Sequence, residues 1–212
     1  MMGTARNWQR SEQAVRQLAV WPIVAAALLL PEVALAHTEV GVVGGFLSGF
    51  THPIFGFDHV VAMVAVGLWG AFLGQPAIWL LPVVFPVVMA FGGLAGVLGV
   101  PLPGVEMGIA TSAVALGAMV ALALRPPLWV AAVLVGAFAI FHGHAHGTEL
   151  PTAANPLAYG VGFVIATGLL HLSGIALGLL ARWPAGLQAV RVGGGAIACI
   201  GLYFLVGALA GT

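Results

Sequence analysis

Six apolar segments, each close to the length that crosses a lipid bilayer, dominate this chain. They run approximately over 56–73, 78–98, 104–124, 128–146, 156–181 and 186–210. A membrane-spanning helix takes roughly 20 residues of this kind. Short turns rich in proline or glycine separate them: Gly74-Gln75-Pro76, Pro101-Leu102-Pro103, Pro126-Pro127, Pro151 to Pro156, and Pro184 to Gly186. In hydrocarbon every backbone polar group must be satisfied within the protein, so such segments can only be helices. The expected fold is all-α, a polytopic membrane helix bundle of six transmembrane helices. Residues 40–50 are apolar but too short to cross, and read as a half-helix or re-entrant segment lying against the bundle.

Composition agrees. Only 6% of the 212 residues are charged, against about 25% in a soluble domain. Thirty-one glycines suit helices that pack closely in lipid. There is no lysine and no basic patch, which excludes nucleic acid as a partner. The single cysteine, Cys199, lies in an apolar run and reads as a small buried hydrophobe rather than a ligand.

The first 36 residues read differently. Arg6, Arg10 and Arg16 precede an apolar run from Leu18 to Leu30, and Pro31-Glu32 and Ala34-Leu35-Ala36 follow. That is the pattern of a secretory signal peptide cut after Ala36. Residues 37–212 are then one transmembrane domain beginning at His37, with its N-terminus on the periplasmic side of the bacterial inner membrane. Counting spans from there makes the loops near 75, 125 and 184 cytoplasmic. Arg125, Arg182 and Arg191, the only basic residues after the signal, fall at or near those loops, as the positive-inside rule requires.

This topology gathers the ionisable groups. His37, Glu39, His52, Asp58 and His59 precede or begin the first span. Glu106 begins the third, and His142, His144, His146 and Glu149 end the fourth. All belong to the outer face. His171 alone is deep, in the fifth span, either a transfer ligand or a packed residue. Ionisable groups inside a membrane are functional candidates because burying them costs free energy. Asp58, at a helix start, could also be an N-cap.

His142 and His146 are four apart and share one helix face, so a single ion is within reach of both. Glu149 follows a turn later if the helix continues through Gly143 and Gly147. His144 points the other way and is secondary. In His52-Pro-Ile-Phe-Gly-Phe-Asp58-His59, Pro53 and Gly56 are expected to form a turn folding His52 over the next helix start. Met63, one turn below His59, offers a thioether or simply packs. After signal cleavage His37 would present an amine and an imidazole together, a chelate for Ni²⁺ or Cu²⁺. Imidazole and carboxylate without thiolate suit Ni²⁺, Cu²⁺, Zn²⁺, Fe²⁺ or Co²⁺. The residues do not choose among these.

The two blocks, His52-Pro-x-x-Gly-x-Asp58-His59 with the Ala-Met and Val-Gly-Leu-Trp that follow, and Phe141-His142-Gly-x-Ala-His146-Gly-x-Glu149, resemble the HupE/UreJ family of membrane proteins. The resemblance covers the whole mature chain. It implies a nickel or cobalt permease supplying hydrogenase or urease maturation, with handover to their metallochaperones. His52, Asp58, His59, His142, His146 and Glu149 are its metal-motif positions, and Glu106 resembles a further family feature. The metal is then cargo, no cofactor is implied, and the chain is not an enzyme. No P-loop is present. An intramembrane metalloenzyme, or a sensor or assembly subunit holding a fixed outer-face metal, is the alternative. The inner half offers His171, Thr111, Ser112, Thr167 and Ser173 but no carboxylate.

Overall fold

In a computed structural model, residues 41–150 and 155–211 are described. The signal segment, its cleavage point and His37 lie outside them. All regular structure among the described residues is helical. The elements are α1 (Gly41–Phe55), α2 (Phe57–Leu73), α3 (Ala77–Val97), α4 (Val105–Ala121), α5 (Leu128–Thr148), α6 (Pro156–Gly178), a short 3₁₀ turn (Leu179–Arg182) and α7 (Pro184–Ala210).

Four of these are long and apolar enough to cross a membrane unaided: α3, α5, α6 with its 3₁₀ extension, and α7. Helices α1 and α2 meet at 79°, the geometry of either a fifth, broken span or a re-entrant loop. The expected first and third spans are shorter than the apolar segments that suggested them. Helix α2 has 17 residues, as does α4, about 26 Å at 1.5 Å per residue. Helix α4 stops at Ala121 because Ala123 adopts φ 56° and the amides of Ala123 and Leu124 bond back to Val120 and Met119. Helix α1 is longer than the half-helix expected over 40–50. It runs straight through Pro53, so the turn is made at Gly56 rather than by Pro53 and Gly56 together.

Helix α2 is the axis of the bundle, with eleven of its residues buried. Helices α3, α4 and α6 surround it, α5 backs α3, α7 backs α4, and α1 lies on α6. The closest pairings run over glycine. A Cβ at Gly143 of α5 would strike the carbonyl of Met89 on α3, and one at Gly147 the carbonyl of Gly93. Side-chain-free stripes let backbones approach in this way, and dispersion then replaces the missing hydrophobic drive. Helix α7 buries only Val190, Gly194 and Gly201. Cys199, expected to be buried, is therefore exposed on its outward face.

The two ends of the bundle differ in charge. Arg125 stacks on Phe72 at 4.7 Å, near the end of α2 remote from His59. Arg182 lines the same cavity as Arg125, and the Arg191 Nε–H donates to the carbonyl of Ala121 at 2.9 Å. Among the described residues the arginines thus gather at the end opposite the histidines.

Candidate metal centre

The bend at Gly56 builds the site. It ends α1 with His52 in the last turn and starts α2 with Asp58 and His59 in the first, so the chain turns back on itself between them. Gly56 caps α2, and Asp58 is not the N-cap. Its carboxylate instead accepts from His59 Nδ1 at 3.0 Å. Helix α5 continues through Gly143 and Gly147 to Thr148, with Glu149 as its C-cap. The same close approach to α3 that demands these glycines fixes the rotation of α5 and turns His142 and His146 inward.

The two sequence blocks, more than 80 residues apart, meet here. His52 Nε2 lies 3.2 Å from Glu149 Oε2. One donor atom each from His52, His146 and Glu149 falls within 4.8 Å of the others. The His146 ring is 4.9 Å from that of His52 and 4.3 Å from that of His59, and the His59 ring is 5.0 Å from His142. The imidazoles therefore form a descending series from the half-exposed His52 to His142, which is fully buried. Above them a cavity of about 420 Å³ is lined by Ser48, Thr51, His52, Asp58, His59 and Glu149.

Hydrogen bonds set which nitrogens are free. Ionised Asp58 only accepts, so His59 carries its proton on Nδ1 and leaves the Nε2 lone pair bare. Nε2 is buried with no partner among the described residues. Ser112 donates its hydroxyl to the Ile109 carbonyl at 2.6 Å. Its oxygen can then only accept from His142 Nε2, 3.0 Å away, which leaves Nδ1 of His142 bare and unpartnered. Both ring nitrogens of His146 are likewise unpartnered, with the ring against Phe163 at 4.1 Å. A buried polar atom without a partner costs about 1–3 kcal/mol, and native interiors hold few. A carboxylate or hydroxyl behind an imidazole, turning its other nitrogen toward a cation, is the usual support of a metal-ligating histidine.

Glu149 is the carboxylate at the mouth, about half exposed. The hydrogen bond from His52 is the largest influence on it and holds its carboxyl below the usual value of 4.5. It therefore stays charged, and available to a cation, to lower pH than an ordinary glutamate.

Two expected ligands, Glu106 and His171, stand apart, as do the secondary His144 and Met63. Glu106 is exposed in the first turn of α4, and its carboxylate makes no hydrogen bond or ion pair with a described residue. His144 faces away and donates from Nε2 to the Val100 carbonyl at 2.7 Å. His171 is buried deep on α6. Met63 packs in the apolar core. Sequence reasoning put Ser112 in the inner half, whereas it supports His142 in the outer cluster. It also missed Phe163, Tyr159 and Phe85, aromatic residues in contact with the imidazoles. Nothing in an apolar run separates an aromatic that lines a site from one that fills a core.

The HupE / UreJ protein family model matches residues 25–204. The chain belongs to the HupE/UreJ family. It is 49% identical over 182 residues to "Protein HupE" of Rhizobium leguminosarum bv. viciae, which covers 86% of this chain and 95% of that protein. No solved structure matches it. HupE/UreJ proteins are permease-like accessory membrane proteins and not enzymes, so the metalloenzyme alternative falls away.

Proposed function

We propose that this HupE/UreJ protein carries a divalent transition metal ion, Ni²⁺ first and Co²⁺ next, across the bacterial inner membrane into the cytoplasm. The cargo supplies hydrogenase or urease maturation, passing at the inner face to their metallochaperones. The observation that carries this reading is the placement of the His52, His146 and Glu149 donors within 4.8 Å of one another below an acidic vestibule, with further imidazoles beneath.

The geometry suits stepwise dehydration. Asp58 and Glu149 attract the hydrated cation into the vestibule. His52, His146 and Glu149 replace part of its water, and the bare nitrogens of His59 and His142 offer the next positions inward. A donor set of imidazole and carboxylate selects against Mg²⁺ and Ca²⁺. Nickel over the other transition metals rests on family membership. A dication entering a negative-inside cell gains about 4.6 kcal/mol per 100 mV, twice the single-charge value, so ATP is not required.

The proposed topology has six crossings following a signal peptide cleaved after Ala36. The cluster of described arginines at the end away from the histidines supports a cytoplasmic assignment for that end. His37 and Glu106 are proposed as accessory ligands at the outer face.

Uptake of radiolabelled Ni²⁺ by cells expressing the protein, in competition with Co²⁺, Cu²⁺ and Zn²⁺, tests the reading. Accumulation above that of cells lacking the protein, displaced best by Co²⁺, is expected. Tight binding of one metal equivalent by the purified protein with no accumulation would instead make it a metal-holding sensor or assembly subunit.

A further inference from the structure

Below the outer cluster the bundle holds a second group of buried polar atoms that lack well-formed hydrogen bonds. His171 and Thr167, four residues apart on α6, share one face and are buried almost completely. Neither ring nitrogen of His171 nor the Thr167 hydroxyl has a hydrogen-bond partner among the described residues. Polar atoms left without good partners in a membrane interior are costly.

A fourth polar atom lies beside them. Helix α3 carries Pro82 and Pro86. Proline has no N–H, so at residue 86 the helical donor to the Pro82 carbonyl is missing. That carbonyl is near enough to act as a hydrogen-bond acceptor toward the His171 ring, though in poor geometry. Freed carbonyls of interrupted helices are a recurrent source of ion ligands in transporters.

Phe85, on α3 between the two prolines, joins this group to the one above. Its fully buried ring meets the edge of His142 at 5.5 Å and of His171 at 5.5 Å. It thus separates the lowest imidazole of the outer cluster from the deep one. Helix α3 lacks two backbone hydrogen bonds around Phe85, and prolines are where helices bend.

We propose that His171, Thr167 and the Pro82 carbonyl form a second, inner ion station, with the Phe85 ring as the partition between it and the outer cluster. The inference rests on the transport reading and supplies a step that the outer cluster leaves open. The station's ligand is a partly hydrated divalent transition metal ion, taking one imidazole nitrogen and neutral oxygens. It has no carboxylate, so it does not neutralise the ion and holds it weakly. A waypoint needs that property, because an ion bound tightly in mid-membrane would not leave.

The test uses full-length protein reconstituted in phosphatidylethanolamine/phosphatidylglycerol vesicles, with Ni²⁺ and Cd²⁺ as probes and an imposed inside-negative potential. Wild type, His171→Gln, His171→Cys and Thr167→Val are compared for outer-face Ni²⁺ binding by titration and for influx. His171→Gln is expected to bind as wild type does while its Ni²⁺ influx falls about tenfold or more, the least that loss of a ligand should cost. His171→Cys is expected to favour Cd²⁺ over Ni²⁺ relative to wild type, because a thiolate is a softer ligand. Thr167→Val is expected to slow Ni²⁺ influx with binding unchanged. Influx in His171→Gln within about twofold of wild type, a smaller change than loss of any ligand should give, would overturn the station alone and assign His171 to packing. Where His171→Gln does not assemble, His171→Cys decides, and an unchanged Cd²⁺/Ni²⁺ ratio overturns the station. Absence of flux in wild type would overturn the transport reading and the station together.

Discussion

The arrangement of the outer donors makes a quantitative demand on metal binding. If His52, His146 and Glu149 hold one ion, removing any of them leaves the other two short of a site. Each of His52→Ala and His146→Ala should weaken Ni²⁺ binding about 100-fold, near 2.7 kcal/mol. Independent contributions would add to about 5.4 kcal/mol, or about 10⁴-fold, in the double variant. The donor atoms lie within 4.8 Å of one another, a distance at which contributions are shared rather than summed. The double variant should therefore bind little worse than either single one, with a coupling of about 2–3 kcal/mol. His59→Ala should show the same non-additivity with His146→Ala, since their rings are 4.3 Å apart. Isothermal titration of the detergent-solubilised protein with Ni²⁺ measures all of these. Additive losses, or two binding events of which each mutation removes only one, would refute a shared site.

Four further outcomes are expected. His144→Ala should leave Ni²⁺ binding unchanged and lower stability by about 2–4 kcal/mol in thermal melts, because its bond to the Val100 carbonyl and the packing of its buried ring are both lost. Gly143→Ala should push α5 off α3 at Met89, costing about 1–3 kcal/mol and weakening binding, whereas Gly160→Ala, with nothing near its Cβ, should be neutral in both assays. Glu149 titrates below its ordinary 4.5 when the protein is folded, so its stabilising pairing with His52 is complete above that value and is lost as pH falls through the depressed one. His52→Ala should return the titration upward toward 4.5, read from the carboxylate infrared band of glutamate-labelled protein. N-terminal sequencing of protein taken from membranes should begin at His37, and an intact Met1 would remove both the processing step and the His37 chelate.

The helices, the turns between most of them and the polarity of the two ends are legible in the sequence, because each depends on local chemistry. Apolar length forces helices, prolines and glycines punctuate them, and arginine marks one face. Helix periodicity also puts His142 and His146 together and sends His144 elsewhere, as the structure has it. What failed locally did so for backbone reasons: helix α1 tolerates Pro53, and α4 ends in a left-handed Ala123, a conformation that composition does not announce.

Only the tertiary structure decided how the blocks meet. The 79° bend at Gly56 and the glycine contact of α5 with α3 bring His52 onto Glu149 and His59 onto His146. The fold alone made Ser112 the support of His142, left Glu106 outside the cluster, and set Phe85 between His142 and His171. These relations depend on how helices distant in sequence are rotated against each other. That rotation is chosen by backbone-to-backbone packing at glycines, and a glycine in the sequence does not say which helix will lie against it.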